Sequence, residues 1–185
     1  MVNLLLKKIL HDPTCPIGKA LDIGFGSGDD LVALAEHGFE VVGIDASEAN
    51  VQKIHERVGE KVLVEHSDVR SFLFPKNSFS VIHANNVFPF LAEKKSVHEI
   101  LEKAIDALVP EGFFVFSLFG PHDAWANRKD MSFFSYDEAL NFLHKQPVEI
   151  YFQSTEEGWG HTMKKEMKYW HIHRFIVRKK QNTAA

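Results

Sequence analysis

Three glycines at alternate positions follow a short apolar stretch in ALDIGFGSGDD, residues 20–30. Glycine at this density indicates a backbone that turns where a Cβ would clash, or that a ligand approaches closely. A dinucleotide loop of the form G-x-G-x-x-G would need glycine at position 29, where the chain has Asp29. Asp29 and Asp30 would also repel a pyrophosphate from the start of the following helix. The loop therefore favours a ligand with a cationic centre and no phosphate.

Two further acids follow at the ends of apolar stretches. Asp45 comes 21 residues after Gly24, where an acid typically binds the hydroxyls of a ribose. Asp68 ends the next stretch, within reach of the exocyclic amine of an adenine. Either acid could instead cap a neighbouring turn, although Ser47 already suits that role beside Asp45. A nucleoside with a charged tail and no phosphate is S-adenosylmethionine, which we expect as the cofactor.

The elements that must hold these residues alternate between strand and helix. Strands are predicted at KALDIG, EVVGID, KVLVEHSD, SFSVIHANN, GFFVFSLFG, VEIYFQS and YWHIHRFIVRK. Helices are predicted at DDLVALAEHG, SEANVQKIHERVG, KKSVHEILEKAIDALVPEG and SYDEALNFLHKQ. The pattern predicts an α/β fold: a Rossmann-like doubly wound sheet of about seven strands, mostly parallel with one late antiparallel strand, and helices on both faces. Ligands of such sheets bind beyond the carboxyl ends of the strands, where the strand order reverses.

The 185 residues favour a single domain over 1–185, with an N-terminal helix or lid in 1–17 and a disordered tail in 179–185. A net charge of -4 argues against binding of nucleic acid through bulk charge. Cys15 is the sole cysteine, which suits a reducing cytoplasm, and no segment predicts a membrane span. The oligomeric state stays open.

The stretch ALDIGFGSGDDLVALAEHGFEVVGIDAS resembles the first two motifs of class I S-adenosylmethionine-dependent methyltransferases. VEHSDVRSFLFPKNSFSVIHANNVFPFL and LVPEGFFVFSLFG resemble the third to fifth, so the resemblance covers residues 18–120. It implies cofactor contacts at Asp22, Gly24, Phe25, Gly26 and Gly28 (methionyl part), Asp45 with Ala46 beside it (ribose), and Asp68 and Val69 (adenine). It also implies that His83 to Asn86 line the methyl-transfer site, with His83 counted among the cofactor contacts and Asn85 and Asn86 as catalytic. The chain departs from the family at two positions: it has Phe25 where many relatives carry a small residue or cysteine, and Ser80 where aspartate is usual. It also lacks the Asn-Pro-Pro-Tyr or Asp-Pro-Pro-Tyr string that is typical of enzymes that methylate the amino groups of nucleic-acid bases.

The residues around the expected methyl site indicate a small-molecule acceptor. EEGWG and KYWHIHRFIVRKK resemble small-molecule methyltransferases of the tellurite-resistance type, with a Trp-His pair on the last strand. Five aromatic residues could form an apolar wall: Phe25, Phe88, Phe90, Trp125 and Phe133. His122 is the candidate general base, oriented by Asp123, although a turn histidine is an equally simple interpretation. The N-terminal helix and segment 121–135 are the expected covers of the cleft.

Other functions remain to be weighed against methyl transfer. His161, His171 and His173 could bind a metal, but without a clear acidic or cysteine complement we expect no metal site. A nicotinamide-dependent oxidoreductase is disfavoured by the glycine spacing. A non-catalytic S-adenosylmethionine-binding module, or a partner subunit that keeps the pocket, would use the same binding residues and stays an alternative.

Overall fold

The computed structural model describes residues 2–55, 57–58, 62–162 and 164–181. Within these residues seven strands form one sheet: β1 (Lys19–Ile23), β2 (Glu40–Asp45), β3 (Val62–His66), β4 (Phe79–Ala84), β5 (Leu108–Phe119), β6 (Val148–His161) and β7 (Met167–Lys179). Their spatial order is β3-β2-β1-β4-β5-β7-β6. The first five pair in parallel, and β7 enters antiparallel to both neighbours. The predicted doubly wound sheet with one late antiparallel strand is confirmed.

Helices cover both faces of the sheet. They are α1 (Leu4–Leu10), α2 (Asp29–Glu36), α3 (Glu48–His55), α4 (Lys94–Ala107) and α5 (Tyr136–Leu143). The apolar residues of α1, α2 and α3 pack in one core with Phe113 of β5. Those of α4 and α5 pack in a second core with Phe114, the next residue along the same strand. Since β1 lies between β2 and β4, the strand order reverses at the β1–β4 pair, and a ligand site is expected beyond their carboxyl ends.

The α4–β5 boundary differs from the sequence pattern, which predicts a helix over 94–112. The helix ends at Ala107, and Leu108 is already extended, with φ -65° and ψ 142°. Pro110 disfavours helical backbone in the residue before it, so the chain leaves the helix early and VPEG joins β5. The predicted helix of α3 and the predicted start of β3 extend into residues 56 and 59–61, which lie outside the described residues.

The β6–β7 hairpin is longer than the sequence predicts. The apolar alternation of VEIYFQS ends at residue 154, yet β6 continues to His161. Its second half, EEGWGH, carries little apolar patterning and is extended because it pairs with β7 as far as His161 and Met167. The extension depends on pairing with β7, so the residues of EEGWGH give no local signal for it.

The first helix and the last strand of the described chain both pack against the rest of the fold. Leu5, Leu6 and Ile9 of α1 are buried as expected, and they contact the core on the α2 face. Lys179, assigned by the sequence to a disordered tail, belongs to β7, and its ammonium donates to the carbonyl oxygens of Asp106 and Leu108 at the end of α4. Residues 182–185 of that predicted tail lie outside the described residues. No described helix has the length and apolar character needed to cross a membrane.

Candidate functional site

Two adjoining cavities open beyond β1 and β4 and share Gly24, Asn86 and Phe90. The larger has a volume of about 730 Å³ and reaches from the glycine loop to the β6–β7 hairpin. The smaller, of about 250 Å³, lies along the ends of β2 and β3. Together they form the cleft that the strand order predicts. A separate cavity of about 740 Å³ beside the first residues of β1 and β4 contains none of the predicted site residues.

The glycine loop adopts left-handed backbone conformations that side chains disfavour. Gly24 has φ +65°, and a Cβ there would lie 2.6 Å from Cγ2 of Val87. Gly28 has φ +77°, and a Cβ there would lie 2.1 Å from Cδ1 of Ile54 in α3. Gly24 and Gly26 line the larger cavity, whereas Gly28 lines neither and is required for packing between α2 and α3. Gly28 therefore has a packing role, and its contact with the cofactor stays a prediction.

Asp45, the last residue of β2, connects the glycine loop to the start of α3 through hydrogen bonds. Its carboxylate accepts hydrogen bonds from the amide of Gly26 at 2.9 Å, the amide of Ser47 at 2.8 Å and the side chain of Asn50 at 3.2 Å. Asp45 lines the smaller cavity together with Ala46. The capping role that the sequence assigns to Ser47 is thus shared by Asp45, and the carboxylate also holds the glycine loop in place.

Asp68 and Val69 line the same smaller cavity, at the end of β3. Asp68 accepts hydrogen bonds from the amide of Arg70 at 2.8 Å and from its guanidinium at 2.9 and 2.5 Å. These bonds, led by those from the Arg70 side chain, hold the pKa of Asp68 below its usual value. Asp68 therefore caps this turn, which is one of its two interpretations from the sequence. The contact of Asp68 with an adenine stays a prediction.

Asp22 and His83 face each other across the β1–β4 pair, in register on neighbouring strands. The Nδ1–H of His83 donates to Oδ1 of Asp22 at 2.8 Å, and both side chains are almost fully buried. Asp30 of α2 approaches the other ring nitrogen, with its Oδ2 3.9 Å from Nε2 of His83. His83 therefore lies within β4 and not after it, at the floor of the larger cavity beside Asp22 and Asp30.

Asn85 and Asn86 leave β4 directly into the larger cavity. Asn86 has a positive φ of 56°, and its amide donates to Oγ of Ser117 at 2.7 Å. The Ser117 hydroxyl lies 3.1 Å from Oδ1 of Asn86 and 3.4 Å from Oδ1 of Asn85. A buried serine on β5 thus holds the Asn85–Asn86 segment at the edge of the cavity, and the role of the two amides in methyl transfer stays a prediction.

The aromatic wall of the larger cavity differs in part from the prediction. Of the five aromatic residues proposed from the sequence, Phe25, Phe90 and Trp125 line it. Phe88 is instead fully buried in the core beneath α4, and Phe133 packs beside Met131 outside the cavity. Two residues not predicted for the wall, Phe119 at the end of β5 and Trp170 on β7, complete it.

The tip of the β6–β7 hairpin forms a side of the larger cavity that sequence reasoning missed. Thr162, Lys164 and Glu166 line it, together with Arg128 from the expected cover segment 121–135. No residue of α1 lines the cavity; before α1, the amide of Asn3 donates to Asp30 at 2.6 Å. The hairpin thus occupies the position that the sequence assigns to the N-terminal helix.

His122 lies outside the cleft. Its side chain is about two-thirds exposed and is within 3.2 Å of Glu157 on β6. Asp123, the residue expected to orient it, is buried and faces the other way: its carboxylate binds the ammonium of Lys168 at 2.6 Å and accepts from the amide of His171 at 3.2 Å. The predicted His122–Asp123 pair is therefore wrong, because Asp123 is already engaged with β7.

His122, Glu157 and His171 form a cluster whose ligand-type atoms lie within 4.8 Å of one another. Glu157 is the acidic partner that the sequence analysis did not find for His171. The amide of His122 donates to Nδ1 of His171 at 3.0 Å, so a neutral His171 carries its proton on Nε2, facing Glu157 at 3.4 Å. Burial lowers the pKa of His171, which favours this neutral form. A protonated Nε2 offers no lone pair, so we assign the cluster to hydrogen bonding.

Comparison with known proteins agrees with this geometry. Residues 20–112 match the family model described as a methyltransferase domain. YqeM of Bacillus subtilis, named as a methyltransferase, is 28% identical over 129 residues, which cover 68% of this chain and 52% of YqeM. The chain thus spans about half the length of that relative.

Two solved structures share the fold along nearly the whole chain. A Listeria monocytogenes protein assigned as an S-adenosylmethionine-dependent methyltransferase superposes with a TM-score of 0.76 at 17% identity, covering 96% of this chain and 97% of that one. Burkholderia thailandensis 1,6-didemethyltoxoflavin-N1-methyltransferase, bound to its substrate and S-adenosylhomocysteine, gives 0.70 at 20% identity, covering 96% and 78%. With half of its length matched by the family model, the chain belongs to the methyltransferase domain family, and it has the Rossmann-like fold of the two solved structures.

Proposed function

We propose that the chain transfers the methyl group of S-adenosylmethionine to a small-molecule acceptor. The observation that carries the proposal is the pair of adjoining cavities at the β1–β4 pair, where the strand order reverses. One is bordered by the acids expected to bind a nucleoside, Asp45 and Asp68, and the other by acids, amides and aromatic rings. Gly24 and Asn86 stand at the junction of the two, where a methyl group would pass from donor to acceptor.

The residues of the cleft fit the parts of this cofactor. The buried Oδ2 of Asp22 has no hydrogen-bond partner among the described residues and lies in the wall where an ammonium group would bind. Gly24 lines the cavity without a side chain, and no other residue fits there because a Cβ would collide with Val87. Val69 and Ala46 supply apolar surface beside Asp45 and Asp68 for an adenosine. This fit supports S-adenosylmethionine.

The chemistry asked of the protein is mainly alignment. The bound cofactor supplies a methyl group already activated by its sulfonium, so the chain must orient an acceptor in line and exclude water. The aromatic rings of Phe25, Phe90 and Trp170 provide an apolar wall, and Asn85 and Asn86 provide fixed polar groups. An acceptor that is already a nucleophile needs no general base, which agrees with the position of His122 outside the cleft.

The character of the larger cavity supports a compact acceptor. It has the size of a small-molecule site, and its lining mixes aromatic rings with a few polar groups. A net charge of -4 offers no electrostatic footprint for nucleic acid. We further propose that the protein acts in the cytoplasm, since Cys15 is the sole cysteine of the chain, and without a membrane or nucleic-acid partner.

We predict that the full chain binds S-adenosylmethionine and S-adenosylhomocysteine and does not bind NAD. The physical reason is the pair of acids at the start of α2, which disfavours a pyrophosphate. Calorimetric titration with the three ligands measures this directly. Tight binding of NAD together with no heat from the other two would overturn the assignment of the cofactor.

We predict that methyl label from S-adenosylmethionine appears in small molecules and not in nucleic acid. The panel should include thiols, selenite, tellurite, phenols and amines, with total RNA and duplex DNA assayed in parallel. Label in RNA or DNA, with salt-sensitive binding of the same polymer, would contradict the proposal. Binding of the cofactor without any turnover across the panel would favour the non-catalytic binding module.

A further inference from the structure

Three ionisable side chains meet at the floor of the larger cavity, between β1, β4 and α2. Asp22 and His83 are 1% and 2% exposed, and Asp30 stands above them in the first turn of α2. Nδ1 of His83 is hydrogen-bonded to Asp22 at 2.8 Å, while Nε2 faces Oδ2 of Asp30 at 3.9 Å, too far for a hydrogen bond. An imidazole is thus held between two carboxylates in a cleft that a cofactor is expected to fill.

Two atoms of this cluster lack a hydrogen-bond partner among the described residues: Oδ2 of Asp22 and Nε2 of His83. Leaving buried polar atoms without partners costs about 1–3 kcal/mol each, so each of these atoms calls for a partner from a water or a ligand. With His83 charged, the three groups carry a net charge of -1. The cluster therefore attracts a cation and disfavours an anion.

The charge on His83 in the free protein follows from its neighbours. Burial lowers the pKa of His83, but the attraction and hydrogen bond of Asp22 and the charge of Asp30 outweigh it, so the pKa is raised. Burial also raises the pKa of Asp22, an effect that His83 opposes. The charged groups that act on His83 are Asp22 from β1 and Asp30 from α2; the neighbouring N-terminal segment contributes the neutral amide of Asn3 to Asp30.

An ammonium group has three N–H donors and no acceptor, which matches the acceptors available here. Oδ2 of Asp30 can accept one of its hydrogen bonds, and Nε2 of His83, 3.9 Å away, can accept another only if it carries no proton. The Asp22 carboxylate lies at Nδ1, on the other side of the ring, and contributes its charge. The imidazolium and the incoming ammonium would otherwise repel each other at close range.

We infer that His83 gives up its Nε2 proton to solvent when the ammonium of the cofactor's amino-acid group binds between His83 and Asp30. The inference rests on the proposed function, since it takes S-adenosylmethionine as the ligand. The imidazolium becomes a neutral imidazole, one proton enters the buffer, and Nδ1–H keeps its bond to Asp22. His83 is thus a positioning residue that couples cofactor binding to proton release.

The direction of the pH dependence follows from this coupling. If binding releases a proton, the affinity rises with pH between the pKa of His83 in the complex and its raised pKa in the free protein. Full coupling of one proton corresponds to a tenfold change in affinity for each pH unit. The rise ends at higher pH, where free His83 is already neutral and the amine of the ligand begins to lose its own proton.

The test is calorimetric titration of the full chain with S-adenosylhomocysteine at pH 7 in phosphate and in Tris, whose ionisation enthalpies differ. The apparent enthalpy then gives the number of protons released. We expect proton release for the wild type, and none for 5′-methylthioadenosine, which lacks the amino-acid group. In His83→Gln, S-adenosylhomocysteine should still bind but without proton release. Its affinity should no longer rise with pH as that of the wild type does.

Two further variants keep the test decisive. His98→Gln makes the same change in α4, where His98 stacks on Phe142 outside the cleft, and should retain the proton release. Asp30→Asn removes one of the two carboxylates without touching the buried pair and should reduce the release. Binding of S-adenosylhomocysteine without proton release by the wild type, or with undiminished release by His83→Gln, overturns the inference alone. Absence of any binding to the wild type overturns the proposed function and the inference with it.

Discussion

Replacing Lys168 by alanine is expected to lower the free energy of unfolding by about 3–5 kcal/mol, the usual result of removing one partner of a buried ion pair. The ammonium of Lys168 lies 2.6 Å from the carboxylate of Asp123, with side-chain exposures of 3% and 0%. It also lies 3.5 Å from the ring centre of Trp170 and 4.1 Å from that of Trp125. Alanine would leave the buried charge of Asp123 uncompensated and would remove the cation from between these rings.

The effect should extend to the cleft. Asp123 also accepts hydrogen bonds from the amides of Trp125 and His171, so it ties the loop after β5 to β7. Trp125 and Trp170 are part of the wall of the larger cavity. Loss of Lys168 should therefore loosen that wall and weaken acceptor binding, whereas the adenosine side of the cleft, around Val69, should be little affected.

Urea unfolding followed by tryptophan fluorescence and circular dichroism measures the stability change. Lys164→Ala, a lysine-to-alanine change at the exposed hairpin tip, is the matched control and should shift stability by about 0.5 kcal/mol or less. The double variant Lys168→Met with Asp123→Leu should recover much of the loss, because no charge is then left unpaired. A loss below about 1 kcal/mol for Lys168→Ala would show that the ion pair is not what anchors the loop.

The sequence predicts the first half of the site well because its residues act where strands end. Asp22, Gly24 and Asp45 each close or follow an apolar stretch, and in a parallel sheet such ends meet at one edge. The alternation of strands and helices indicates a doubly wound parallel sheet, whose ligands bind at that edge. The cleft can therefore be located before any side-chain contact is known.

The second half depends on partners that are far apart in the chain, and here local patterns fail. His122 and Asp123 are adjacent, which favours a pair, but Asp123 turns inward to Lys168, 45 residues later. His83 marks the end of a strand in the sequence, yet its defining contact is with Asp22, 61 residues earlier. The extension of β6 is fixed by pairing with β7, so EEGWGH carries no apolar signal of its own.

Asp45→Ala is expected to weaken binding of S-adenosylhomocysteine by about 10- to 150-fold, or 1.5–3 kcal/mol, the scale of a hydrogen bond to a charged group. From its position at the exposed end of a strand, the carboxylate would carry little of the core, so the sequence alone predicts that the fold survives this change. The structure leads to a different expectation for stability, because Asp45 is only 7% exposed and accepts bonds from Gly26, Ser47 and Asn50. Removing the acceptor leaves these donors to find water or stay unpaired, which should lower the free energy of unfolding by about 1–3 kcal/mol.

The two losses have different origins, and Asn50→Ala separates them. That variant removes the 3.2 Å bond from the side chain of Asn50 while leaving the Asp45 carboxylate in the wall of the smaller cavity, where the ribose is expected. It should lower stability by less than about 1 kcal/mol and leave affinity for S-adenosylhomocysteine unchanged. Calorimetry and urea unfolding on both variants give the comparison. If Asp45→Ala loses stability but binds normally, the carboxylate is a cap for the loop and α3, and the ribose assignment is wrong. If it loses affinity as well, while Asn50→Ala does not, one buried acid both holds the glycine loop against β2 and presents an oxygen to the nucleoside.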